Sequence, residues 1–238
     1  MADKNVYLYQ TQSLHDRLSD SQRSLERTKT CIEGAFDRIN LSVDVEIKSE
    51  TPDPPQEEYR DVTGSAPCSS KCSSWGWLVG WFRDWLDCEN LQSGHDKHDD
   101  VSVLISNTDE TSGGASFPRC VHVQAGYHLS DLPASYENSG TGDPHAAMDT
   151  VLHELGHSFM EDTSTNYEHN SGNTDRTSSS STKYETTPMG AIVGKDENEC
   201  GNDHYYDKGP STGTEDVNYR AIWSECCLDE WSPYAYQD

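Results

Sequence analysis

One stretch gathers the residue types with the most chemistry to offer: Val151-Leu152-His153-Glu154-Leu155-Gly156-His157-Ser158-Phe159. On a helix, His153 and His157 lie one turn apart and about 40° apart in azimuth, so both imidazoles reach a single ion. Two histidines at this spacing with Glu154 directly after the first form the H-E-x-x-H pattern of a zinc site. Zinc bound there acidifies a water, and Glu154, on the flank of the pair, is placed to take the proton as general base. Met148, Leu152, Leu155 and Phe159 recur on the other side of the same helix and give it an apolar face to bury.

The rest of the chain must position that helix, and its composition limits how. Its 238 residues suffice for one sizeable domain. Asp and Glu outnumber Lys and Arg by 42 to 17, a net charge of -25, which repels nucleic acid and anionic membranes. Such acidity fits either a disordered acidic chain or a folded protein adapted to very high salt. Six Trp, twelve Tyr and eight Cys favour the folded, halophilic reading. Eight cysteines also point to disulfides and an extracellular location. Against that, no apolar run near Met1 is long enough for a signal peptide, so location stays open; no segment is apolar enough to span a membrane.

Val6-Tyr7-Leu8-Tyr9 predicts a strand, and residues 13–39 predict one long amphipathic helix through Leu14, Leu18, Leu25, Ile32 and Phe36. Leu41 to Ile47 alternates as a half-buried strand does, so the chain opens as strand, helix, strand, the start of a parallel sheet. Residues 49–74 predict an irregular, disulfide-pinned insertion. Trp75, Trp77, Trp81, Phe82 and Trp85 follow, with Trp77, Trp81 and Trp85 on one helical face. They fit a small helix packed on the sheet by its indoles, or an exposed patch for a partner. Cys68 and Cys72 with Cys88 and His95 or His98 form a further conceivable metal set, at spacings unlike a common zinc knuckle. Residues 101–105 and 120–125 predict strands, with His122 and His128 as strand-end and loop residues. His145 is expected in the first turn of the zinc helix, facing solvent. After Phe159 the chain is polar and rich in Ser, and residues 217–231 predict a C-terminal helix.

This order of elements resembles the metzincin zinc endopeptidases. His153, Glu154 and His157 match that family's first two histidines and general base, and Pro188-Met189-Gly190 resembles its Met-turn, whose methionine is a hydrophobic floor beneath the zinc. Trp223-Ser224-Glu225-Cys226 is similar to the start of the last helix in adamalysin-like members. The resemblance implies an α+β fold. Residues 1–159 would form an upper lobe, a twisted mixed sheet with long helices and a disulfide-rich insertion at about 49–98. Residues 160–238 would form a small irregular lower lobe ending in the C-terminal helix. It implies a disulfide from Cys120 to Cys226 or Cys227, and an edge strand holding Val121 and Val123 above the cleft that aligns extended substrate.

The family continues its motif as H-E-x-x-H-x-x-G-x-x-H, whereas this chain has Met160 and Thr163 at the Gly and third His positions. A catalytic zinc with one open position needs a third protein donor. His169 is the expected one, delivered by a short insertion after the helix as a longer one does in leishmanolysin-like members; Asp162 and Glu161 are the alternatives, and His204 is more distant. The implied activity is hydrolysis of a protein or peptide by a monomeric zinc endopeptidase. Two other readings stand beside it. A gluzincin-type peptidase would draw its third ligand from Glu197, Glu199 or Glu215, and a catalytically silent zinc module would bind through the Trp-rich insertion.

Overall fold

The computed structural model describes residues 4–20, 22–57, 60–93, 99–108, 114–117, 119–137, 139–159, 174–176, 184–186 and 217–220. The strand expected around Val6 lies inside a five-stranded sheet. β1 (Lys4–Gln10) pairs in parallel with β2 (Val43–Ile47) on one side and with β5 (Asp100–Ile105) on the other. β7 (Cys120–Val123) continues the parallel run beside β5, and β6 (Gly114–Phe117) closes the sheet antiparallel to β7. The order is β2-β1-β5-β7-β6. Mixed α and β structure is thus present as expected, but the edge is β6 and not the strand of Val121 and Val123. Gly114-Ala115-Ser116-Phe117 has too little apolar alternation to announce a strand; its pairing with β7 makes it one.

Alternation along the strands builds two cores. Val6, Leu8, Val101, Val103, Ile105, Val121 and Val123 face one side, where Leu14, Leu25, Ile32 and Phe36 cover them. Those four come from two helices, α1 (Gln12–Arg17) and α2 (Arg23–Arg38), and not from the single helix the periodicity predicts. Leu18 ends α1 in an extended conformation, and Ser19 and Asp20 follow, residue types that favour turns over helix interiors.

Tyr9, Leu104 and Cys120 face the other side. A hairpin of β3 (Arg60–Thr63) and β4 (Ser74–Trp77) and the helix α3 (Leu78–Cys88) cover them; the hairpin enters the stretch 49–74 that was expected to be irregular, and α3 is the small helix expected of the Trp-rich segment. A disulfide joins Cys68 to Cys88, as expected of this segment, and consumes two of the sulfurs a Cys-based metal site would need. The tryptophans act mainly as core. Trp81 is buried with Leu78, Val79, Phe82 and Leu86, and Trp85 stacks on Phe82 and meets Tyr9 edge-on. Trp77 belongs to β4 and caps the helix, its ring under the Arg60 guanidinium at 4.7 Å.

Cys120 is a buried free thiol that accepts a hydrogen bond from Gln92 Nε2 at 3.1 Å. The pairing expected of Cys120 with Cys226 or Cys227 falls on residues outside those described. Cys120 turns toward α3, on the face of the sheet opposite Val121, as strand alternation requires.

A second sheet has the order β8-β11-β10-β9, from β8 (Ser139–Thr141), β9 (Thr174–Arg176), β10 (Tyr184–Thr186) and β11 (Val217–Arg220). Where a helix was expected to begin at residue 217, Val217–Arg220 is a strand. Val217-Asn218-Tyr219-Arg220 also alternates with period two, and pairing with both β8 and β10 satisfies that backbone as a strand. Residues 221–238 lie outside the described set. Among the described residues no helix is long and apolar enough to cross a membrane.

Candidate metal centre on the fifth helix

The expected zinc helix is α5 (Asp143–Phe159). Gly142, at φ +82°, turns the chain out of β8 in the left-handed region that favours glycine, and Pro144 stands in the first helical turn, where its missing N–H costs nothing. Met148, Leu152, Leu155 and Phe159, the predicted apolar face, are all buried. They pack α5 against β6, β7, α2 and the short α4 (Gly126–Leu129), with the Phe159 ring edge-on to Phe36 at 5.9 Å.

Burying that face directs the motif to the other side. His153 Nε2 and His157 Nε2 stand 3.0 Å apart, with ring centroids at 4.6 Å and ring planes nearly perpendicular. Two nitrogens bound at 2.0–2.1 Å to one tetrahedral zinc would be about 3.3 Å apart. The pair thus fits two ligands of such an ion with a shift of a few tenths of an ångström. Glu154 is 7% exposed and lies under the edge strand, where a Cβ on Gly114 would stand 2.8 Å from its Oε1. Helix spacing accounts for the two histidines; strand β6, through Gly114, accounts for the confinement of Glu154.

No protein-family model matches the chain, and no curated protein matches it. His169, Asp162, Glu161, His204, Met189 and the three glutamates of the gluzincin reading lie outside the described residues. Among those described, no group of three His, Cys, Asp or Glu residues is placed to hold a metal ion. The structure brings together His153, His157 and Glu154.

The remaining histidines are placed elsewhere. His122 lies within β7 and not at a strand end, fully buried on the α3 face of the sheet. Its Nε2 is 2.8 Å from Ser106 Oγ, which donates onward to Glu57 O, so the ring carries its proton on Nε2. Burial with no hydrogen bond to Nδ1 pushes its pKa down to about 3. His128 sits in α4 with its ring beside Tyr127. His145 is less exposed than a first-turn histidine was expected to be. Its Nδ1 lies 3.1 Å from the Thr141 carbonyl and its ring fills the space left by Gly140.

Two residues near the motif escaped sequence reasoning. Gly114 had only the Gly113-Gly114 pair as a signal, which reads equally well as a loop. Asp149 had its position, one helical turn before His153. Asp149 is half-buried as a residue, but its Oδ1 is shielded and has no hydrogen-bond partner. Burial raises this carboxyl well above the usual carboxylate range.

Proposed function

We propose that the chain is a zinc-dependent metalloendopeptidase of metzincin-like build. The observation that carries the reading is the convergence of His153 and His157 through their Nε2 atoms, with the Glu154 carboxylate confined beside them. His153 and His157 supply two ligands and His169 the third, with Asp162 or Glu161 as the alternative donors. Zinc, when bound, supplies acidification of water and polarisation of a carbonyl. Glu154 takes the proton of the attacking water and passes it to the leaving amine. Its partial burial keeps the carboxylate in one place, so little reorganisation accompanies the transfer.

The order of the sheet supports a way to hold substrate. β6 is the last strand of its sheet, antiparallel to β7, and its first residue touches Glu154. An extended peptide pairing with that edge would pass directly over the general base, its main chain bound by backbone hydrogen bonds. Met189 would form the floor of the site. Trp81 is buried and Trp85 stacks on Phe82, so of the three tryptophans expected on one face only Trp77 is exposed, which counts against a binding module built on that face.

Zinc stoichiometry and peptide cleavage, measured together in several molar salt, test the reading. The wild type should bind one zinc per chain and cleave, while His153→Ala and His169→Ala should lose both. If His169→Ala kept its metal and activity, the third ligand would pass to Asp162 or Glu161. If His153→Ala kept both, the site would be elsewhere.

A further inference from the structure

We propose that Asp149 is the positioning residue for His153, its buried carboxylate accepting the Nδ1 proton of that imidazole so that Nε2 is held as the ligating nitrogen. The inference rests on the zinc reading above. Asp149 and His153 are four residues apart on α5, which puts their Cβ atoms about 5–6 Å apart on one stripe of the helix. Helical side chains lean toward the N-terminus, which brings an imidazole at 153 within reach of the turn that carries Asp149. Its Nε2 faces His157 Nε2 at 3.0 Å, which leaves Nδ1 as the nitrogen for a second partner once Nε2 is committed to an ion.

The carboxyl itself supplies the second observation. Asp149 Oδ1 is shielded from solvent and has no hydrogen-bond partner. Shielding a carboxyl oxygen without a partner is unfavourable, a cost that an apolar side chain does not carry. A ligating imidazole removes the difficulty. With Nε2 committed to an ion, the proton must sit on Nδ1, and a carboxylate accepting it fixes the ring and raises the basicity of the ligand. His145, one turn in the other direction, is held differently: its Nδ1 lies by the Thr141 carbonyl and its Nε2 is 3.8 Å from Glu137 Oε2.

Zinc affinity by chelator competition and thermal unfolding of the metal-free protein, both in molar salt, test the assignment. Asp149→Asn and Asp149→Ala should bind zinc about 10- to 100-fold more weakly. The metal-free midpoint of Asp149→Ala should equal or exceed that of the wild type, because a shielded carboxyl oxygen without a hydrogen bond has gone, and that of Asp149→Asn should stay near it. His145→Ala should bind zinc as the wild type does. Wild-type affinity in both Asp149 variants would overturn the assignment, as would a loss that only tracks a lowered metal-free midpoint, or an equal loss in His145→Ala. A wild type that binds no zinc, or binds it unchanged after His153→Ala, overturns the zinc reading itself and this assignment with it.

Discussion

Glu154 of α5 and Gly114 of β6 are in contact, so closely that a Cβ on residue 114 would lie 2.7 Å from Glu154 Cγ. The glycine is required by this approach and not by its backbone. Gly114→Ala must push either the carboxylate or the edge strand aside. A displacement of a catalytic group by about 1 Å costs on the order of a hundredfold in rate. Peptide cleavage by Gly114→Ala should fall by about that factor while its zinc content stays at one per chain, since the three atoms nearest a Cβ at 114 all belong to Glu154.

His122 makes the fold sensitive to acid. Its pKa is about 3 when folded against 6.5 in the open chain, so the unfolded state binds the extra proton between those values. The stability this neutral histidine permits is fully present above pH 6.5 and is lost as pH falls toward 3, at up to about 1.4 kcal/mol per pH unit. Denaturant unfolding across this window should show the decline, and His122→Leu should flatten it.

A net charge of -25 has its own consequence. In dilute buffer the charges repel one another across the whole molecule, whereas at 1 M salt the screening length is only about 3 Å. Circular dichroism should show a folded chain in molar salt that loses structure on dialysis to low ionic strength and regains it when salt is restored.

The Cys68–Cys88 bridge closes a segment with a sequence separation of 20. Chain-entropy reasoning values such a loop at about 3 kcal/mol. A Cys68→Ala/Cys88→Ala protein should lose roughly that much stability to urea. It should keep its zinc, because the bridge serves the sheet face opposite α5.

Most of this site was legible because it lies on one helix. A period of 3.6 residues fixes which side of α5 is apolar and which carries His153 and His157, whatever the rest of the chain does. The parallel strands around Val6 and Val103 announced themselves through dense apolar runs for the same local reason. Contacts made across the sheet were not legible. Nothing in Gly114-Ala115-Ser116-Phe117 states that it will be an edge strand, because pairing with β7 decides that. Val217 to Arg220 satisfies both helical and strand periods, and only its partners choose between them. The orientation of Cys120 follows from strand alternation, but the face that α3 would cover could not be known from residues 78–88 alone.

The most direct test removes only the carboxylate proposed as the general base, that of Glu154. Glu154→Gln retains the shape of the side chain and both histidines, so it should bind one zinc per chain as the wild type does. Its peptide cleavage should fall by about 10²- to 10⁴-fold, the usual worth of a general base. Zinc bound normally with cleavage at the wild-type rate would contradict the mechanism proposed for this site.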